Sequence, residues 1–165
     1  AKIAVSMQDS TDIALNATAS ETTYTYNPVK YTLTKYTSSE NRASNTSGTP
    51  VVSQASFTEL KSKVEALSAD YIAPLGNVDY VAYANAGYYT LTWEWVFDNT
   101  ANVTKSGTGG DLTGNECDTI LAMYSDAGNS GTVTYNGATY TINGGTSTTL
   151  KLALSITVEQ IQTNE

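Results

Sequence analysis

The feature that most constrains the fold of this chain is a run of alternating large side chains, YYTLTWEWVFD, at residues 88–98. Successive side chains of a β-strand point to opposite faces of a sheet, so every second residue shares a face. One face, called here the aromatic row, carries Tyr89, Leu91, Trp93, Trp95 and Phe97. Rows of this kind either stack on flat sugar rings or, more often, pack against a second sheet. The sequence therefore predicts that the aromatic row is core.

Several other segments alternate with the same period and predict further strands. Residues 29–34 alternate between apolar and polar side chains, and YVAYA at residues 80–84 predicts another strand. Asn136-Gly137 predicts a tight hairpin turn, because these two residue types readily adopt positive φ. The longest alternation runs through residues 150–158 and predicts a strand at the centre of a sheet with one buried face.

One segment has helical spacing instead. Ser56 and Glu59 form a capping box, and the apolar residues on one helical face are Phe57, Leu60, Val64 and Leu67. This helix is expected to end before Pro74. A second, shorter helix is compatible with residues 116–126, whereas residues 37–50 predict a polar loop.

Together these patterns predict a mainly β fold: an antiparallel two-sheet jelly-roll sandwich with one or two short helices on its connections. A length of 165 residues suits one domain. We expect a jelly-roll domain over residues 21–165 and a detachable N-terminal arm over residues 1–20.

The arm carries two short apolar alternations, and an exposed strand of this kind promotes self-association. Its apolar side chains are Ile3, Val5 and Met7, followed by Ile13 and Leu15. The arm can fold back as an edge strand of its own sheet, or it can complete the sheet of a second copy. The second fate is donor-strand complementation, and head-to-tail exchange of that kind generates a filament. Periodicity alone leaves both fates open.

The composition excludes several classes of function. Lys and Arg number eight and are scattered, so the chain has no basic stripe for nucleic acid. It has no His, the commonest general base and transition-metal ligand, and the single Cys117 excludes an intrachain disulfide and a thiolate zinc cluster. No apolar run is long enough for a transmembrane segment. The chain begins with AKIAV and no Met, as a processed protein secreted to the cell surface or beyond would.

Three sets of residues are candidate sites. Calcium is the one cofactor that the sequence suggests, because calcium takes oxygen ligands from irregular loops. The acids that bracket the long Gly-rich loop after residue 98 are Asp98, Asp111, Glu116 and Asp118. Glu94 and Asp98 are the nominees for a carboxylate pair in glycoside hydrolysis, although their spacing does not single them out. Sequons for N-glycosylation begin at Asn16, Asn45 and Asn102.

Four segments together resemble the TasA/camelysin family of proteins, which are exported through a SipW-type signal peptidase. The residues that carry the resemblance are Leu60, Leu67, Ser68 and Tyr71; Tyr89 to Trp93, Trp95, Phe97 and Asp98; Asp118, Thr119 and Leu121; and Ile156 to Gln160. They span most of residues 56–162. The resemblance implies a jelly-roll subunit of an extracellular fibre in a biofilm matrix, whose N-terminal strand inserts into the neighbouring subunit.

We therefore expect a secreted structural subunit of a biofilm-matrix filament, a homopolymer built by donor-strand complementation and without enzymatic activity. The alternative is a carbohydrate-binding or adhesin jelly-roll module at the cell surface, which requires solvent-exposed aromatic residues. Tyr residues in excess of what a core needs predict lateral bundling with other fibres. They are Tyr24, Tyr26, Tyr80, Tyr83 and Tyr88.

Overall fold

A computed structural model of the chain describes residues 1–69 and 83–159. Within these residues the fold is mainly β, with ten strands in antiparallel sheets, three α-helices and a short 3₁₀ helix (Thr100–Asn102), which confirms the predicted class. The strands are β1 (Lys2–Ser6), β2 (Leu15–Ala19), β3 (Thr22–Tyr26), β4 (Val29–Tyr36), β5 (Thr49–Ala55), β6 (Tyr88–Trp95), β7 (Val103–Ser106), β8 (Thr132–Tyr135), β9 (Ala138–Ile142) and β10 (Ser155–Glu159). The α-helices are α1 (Ser39–Ser44), α2 (Phe57–Glu65) and α3 (Gly114–Asp126).

The strands form three sheets, and the chain divides into two compact units. The sheets have the strand orders β7-β3-β2-β9-β8, β5-β4-β6 and β1-β10. Unit 1 contains the described residues of Ala1–Ser10, Tyr31–Trp93 and Leu152–Glu165, and unit 2 contains Thr11–Lys30 and Glu94–Lys151. Among the described residues, none of the helices is long and apolar enough to cross a membrane.

Unit 1 is organised around β4 and α2. Tyr31 and Leu33 of β4 are buried, as their alternation predicts, and so are Leu60 and Val64 of α2. The ring of Phe57, at the start of α2, lies 5.8 Å from that of Tyr31. The predicted capping box is confirmed, because the Ser56 hydroxyl accepts a hydrogen bond from the Glu59 N–H and the Glu59 carboxylate accepts one from the Ser56 N–H. The helix α2 therefore begins where the sequence predicts, and it ends at Glu65, earlier than expected.

Unit 2 is organised around β2, the central strand of the five-stranded sheet. Leu15 and Ala17 of β2 are buried, together with Tyr24 and Tyr26 of β3. The hairpin of β8 and β9 turns at Asn136-Gly137, whose φ values of 48° and 77° match the predicted primed turn. Because β2 lies inside this sheet, residues 11–20 belong to unit 2 and are not part of a detachable arm.

Two predictions about secondary structure are wrong. Residues 37–50 contain α1 and the first residues of β5, because Ser38 caps a short helix by accepting a hydrogen bond from the Asn41 N–H. The alternation at residues 150–158 does not form a central strand with a buried face. Only β10 forms there; it belongs to the two-stranded sheet, and all five of its residues are exposed.

Some predicted features lie outside the described residues. They are the strand at residues 80–84 apart from its last two residues, the helix end before Pro74, and the motif positions Tyr71 and Gln160.

Candidate functional site

Strand β1 has hydrogen-bonded neighbours along both of its edges. Along one edge it pairs antiparallel with β10, and Val5 lies opposite Ile156. Along the other edge the N–H of Ile3 donates to the carbonyl of Ala69 at 2.9 Å, and the N–H of Ala69 donates back at 2.8 Å. The Val5 N–H also donates to the Ser68 hydroxyl at 3.0 Å. β1 is therefore hydrogen-bonded along both edges, to β10 on one side and to Ser68 and Ala69 on the other.

Two apolar side chains of the first seven residues, Val5 and Met7, line a groove in unit 1, whereas Ile3 is half-buried and lies outside it. Met7 is 2 % exposed and Val5 is 7 % exposed. They line a cavity of about 250 Å³ with the residues called here the N-terminal groove: Leu33, Val64, Leu67, Tyr89, Leu91 and Leu152. Alternate side chains in pockets, combined with main-chain hydrogen bonds, are the contacts by which an added strand binds a sheet.

A three-residue turn, Gln8–Ser10, follows the strand. Asp9 adopts a φ of 59°, in the left-handed region that residues with a Cβ rarely occupy. Next to it, the Ser10 hydroxyl donates to the carbonyl of Ala153 at 3.1 Å and accepts from the N–H of the same residue at 2.8 Å. The chain therefore leaves β1 through a short turn with a strained residue, which has the character of a hinge.

β1 and β10 present one common face, and this face is buried on the β1 side but exposed to solvent on the β10 side. Val5 and Met7 are buried, whereas the alternating apolar residues of the closing segment, called here the β10 row, are 62–65 % exposed: Leu154, Ile156 and Val158. This exposure explains why the prediction of a buried central strand was wrong. Alternation identifies an apolar face but does not say that the same chain covers it.

Ile13 and Leu15 do not share the position of Ile3, Val5 and Met7. Both are buried in unit 2, and Leu15 lies in the central strand of its five-stranded sheet. Removing them would take apart a sheet of the same chain. We therefore restrict the candidate donor segment to residues 1–10.

The prediction that the aromatic row is core is wrong for the chain by itself. Trp93 is 54 % exposed and Phe97 is 76 % exposed, and Tyr89, Leu91 and Trp95 are only half-buried. Tyrosines of β3 and β4 are buried instead, namely Tyr24, Tyr26, Tyr31 and Tyr36. Of the predicted bundling residues, Tyr24 and Tyr26 are buried, and Tyr88 is exposed. Tyr83 is half-buried and its hydroxyl donates to the carbonyl of Leu67, whereas Tyr80 lies outside the described residues.

Trp95 belongs to a small polar network in unit 2. Its indole N–H donates to Asp118 Oδ1 at 3.2 Å. The Tyr26 hydroxyl and Asp118 Oδ2 are buried, and among the described residues neither has a hydrogen bond of normal geometry. They nevertheless lie close enough to influence each other. Burial raises the pKa of Asp118, and burial together with the nearby Asp118 carboxylate raises the pKa of Tyr26.

The four acids proposed for calcium are used separately. Glu116 caps α3 by accepting hydrogen bonds from Thr113, and Asp111 forms an ion pair with Lys105. Asp118 accepts from Trp95, whereas Asp98 is exposed on a turn with a φ of 54°. Within residues 1–69 and 83–159, no group of three carboxylate, thiol or imidazole side chains could hold a metal ion together. Glu94, the other nominee for hydrolysis, is exposed on β6.

The three sequons differ in how their amides are used. Asn16 Nδ2 donates to the carbonyl of Gly144, and Asn102 Nδ2 donates to that of Asn27. Asn45 is exposed at the end of α1, and its Oδ1 accepts from the Tyr36 hydroxyl. Within the described residues, Asn45 is the one of the three whose side-chain amide nitrogen does not donate a hydrogen bond to a backbone carbonyl.

Unit 2 also contains a cavity of about 560 Å³ that the sequence patterns do not predict, called here the aromatic cavity. It is lined by Trp95, Phe97, Ile13 and Thr148, together with Asn115, Asp118, Thr119, Leu121, Ala122 and Ser125 of α3. Its one sequence signal is Thr113 followed by Glu116, a second capping box that fixes the start of α3.

Comparisons of the chain with protein-family models, curated proteins and solved structures find no match. The likeness to the TasA/camelysin family therefore depends on the short motifs alone.

Proposed function

We propose that this protein is a secreted structural subunit of an extracellular biofilm-matrix filament. Subunits polymerise head to tail when the N-terminal strand of one copy fills the N-terminal groove of the next. The observation that carries the proposal is the position of β1, which is hydrogen-bonded along both edges and is followed by Met7, buried like Val5 in an apolar groove.

The contacts that hold β1 in its own chain are the same contacts that a second copy would make. Folding back and donation therefore differ little in contact energy, and the balance depends on the hinge and on protein concentration. A left-handed residue such as Asp9 costs of the order of 1–3 kcal/mol, and an extended chain would release that strain. The hinge thus favours donation.

Two further features support assembly outside the cell. The motif resemblance is to exported fibre proteins with a jelly-roll subunit, and a two-sheet jelly roll is the arrangement that we propose here. The exposed β10 row is an apolar surface of the kind that assembly covers. Lateral bundling of the fibres remains part of the proposal, with exposed Tyr88 and half-buried Tyr83 as the described candidates.

Deletion of residues 1–10 tests the proposal. We expect the variant to stay folded in unit 2, to give no fibres by negative-stain electron microscopy, and to bind a synthetic peptide of residues 1–10. Unchanged fibres after this deletion would contradict the proposal.

A matched pair of point variants separates the groove from a general effect of charge. Met7→Asp places a carboxylate in the groove, whereas Ala4→Asp places the same group on the exposed face of β1. We expect fibres from Ala4→Asp and none from Met7→Asp.

A second candidate function is favoured by one observation. Trp93 and Phe97 are exposed, as a carbohydrate-binding or adhesin module requires. That function predicts sugar binding by single subunits, with or without residues 1–10.

A further inference from the structure

The aromatic cavity of unit 2 has the size of a small-molecule site. Its volume of about 560 Å³ lies within the range of ordinary ligand pockets. One wall is a pair of aromatic rings, Trp95 and Phe97, with centroids 6.4 Å apart and planes inclined by 32°. Phe97 is 76 % exposed, so this wall presents a broad apolar surface to solvent.

Asp118 fixes one of the two rings. Because the indole N–H of Trp95 already donates to Asp118 Oδ1, the part of Trp95 that lines the cavity is apolar ring surface. A ring held in place before binding loses less conformational entropy when a ligand stacks on it. The carboxylate itself is not offered to a ligand, since Oδ1 is used and Oδ2 is buried.

The facing wall is one side of α3, where Asp118 and the buried Leu121 are accompanied by four small, neutral side chains. Asn115, Thr119, Ala122 and Ser125 recur at helical spacing along this side. The residues that α3 buries are large or apolar by contrast, including Cys117 and Ile120. A helix that packed against its own core along this side would need apolar residues there. Hydroxyl and amide groups opposite aromatic rings instead suit a ligand with both an apolar face and hydroxyl groups.

We propose that the aromatic cavity binds a neutral pyranose unit of a polysaccharide. The C–H face of the sugar stacks on Phe97 and Trp95, and its hydroxyls meet Asn115, Thr119, Ser125 and Thr148. Asp118 is a positioning residue that acts through Trp95. Among the residues that the structure describes, no cationic side chain lines the cavity, and the chain has a net charge of −8, so an anionic polysaccharide is disfavoured. This site does not depend on the filament proposal, because all of its residues lie in unit 2.

The test uses intrinsic fluorescence. The chain has two tryptophans, so in a Trp93→Phe variant Trp95 is the single tryptophan and reports on the cavity. The probes are three neutral polysaccharides (laminarin, dextran and yeast mannan), with anionic alginate and a decaproline peptide for comparison. We expect a saturable change in Trp95 emission with at least one neutral polysaccharide and none with alginate.

Variants locate the site. We expect Phe97→Ala to weaken binding about tenfold, the size of one lost aromatic contact. Tyr88→Ala, which removes an exposed aromatic ring outside the cavity, should leave binding unchanged. Asp118→Leu should also weaken binding, whereas Asp118→Asn keeps an acceptor for the indole N–H and should restore it. Circular dichroism checks that each variant is folded.

Three outcomes would overturn the proposal. They are the absence of a saturable response to every neutral polysaccharide up to about 10 mM in sugar units, binding that survives Phe97→Ala, and a response to decaproline alone. The last outcome would identify the cavity as a peptide groove. Since Asp9 and the N-terminal groove take no part, the filament proposal would be unaffected by any of them.

Discussion

Truncation of Met7 measures how much the N-terminal groove contributes. Met7 is 2 % exposed, and removing a buried Met side chain to Ala costs about 2–5 kcal/mol, because the transfer free energy is lost and a cavity remains. We take about 3 kcal/mol for Met7→Ala. With a denaturant slope of about 2 kcal/mol per molar urea, the unfolding midpoint should fall by about 1.5 M.

The chain provides its own control, since its second methionine, Met123, is 37 % exposed on α3. Met123→Ala is the same chemical change at the surface, and it should shift the free energy of unfolding by no more than about 0.5 kcal/mol. Urea unfolding is followed by circular dichroism at several protein concentrations. If β1 is donated, the loss for Met7→Ala grows with protein concentration; if it folds back, the loss is constant. Equal shifts for the two variants would refute the account of the groove.

Three other predictions concern unit 2. Burial raises the pKa of the Cys117 thiol to about 12, so Ellman's reagent at pH 8 should leave the folded protein unmodified and react with one thiol after unfolding; rapid reaction of the folded protein would contradict this. The pKa of Asp118 is raised in the folded chain, so its contribution is present at low pH and is lost as the pH rises through the folded pKa. Relative to Asp118→Asn, the wild type should therefore lose stability in urea titrations as the pH rises above the ordinary titration range of a carboxyl group, and a constant difference would exclude the effect. Thr113→Ala removes the cap of α3 and should cost about 1 kcal/mol, whereas Thr108→Ala on an exposed loop should cost almost nothing.

Local signals in the sequence predicted local structure well. The Ser56 capping box and the Asn136-Gly137 turn each depend on a few adjacent residues, and both were confirmed. The alternation of β4 was also confirmed, because Tyr31 and Leu33 are buried on one side of it. The capping box and the turn both depend on hydrogen bonds between residues close together in the sequence, so they can be predicted without knowing the tertiary fold.

Burial of a whole apolar face could not be predicted in the same way. Trp93 and Ile156 lie on faces that alternate as regularly as β4, yet both are exposed. What distinguishes them is whether another element of the same chain covers the face, and that is decided by long-range pairing. The aromatic cavity was missed for a similar reason, since Phe97 and Ser125 are brought together by tertiary structure.

Disulfide trapping tests the central claim, that β1 is donated to a neighbouring copy, most directly. Ala4 lies opposite Thr157 in the β1–β10 pair, and both residues are exposed. Directly paired residues of antiparallel strands have Cα atoms about 4.5–5.5 Å apart, within the range that a disulfide bridges. Buried Cys117 should not compete for oxidation.

The double variant Ala4→Cys, Thr157→Cys is assembled, oxidised and separated on a denaturing gel without reductant, beside the single variant Ala4→Cys. Donation predicts a ladder of covalent multimers from the double variant and nothing larger than a dimer from the single variant. A fibre sample that gives only monomers with an internal disulfide would contradict the account.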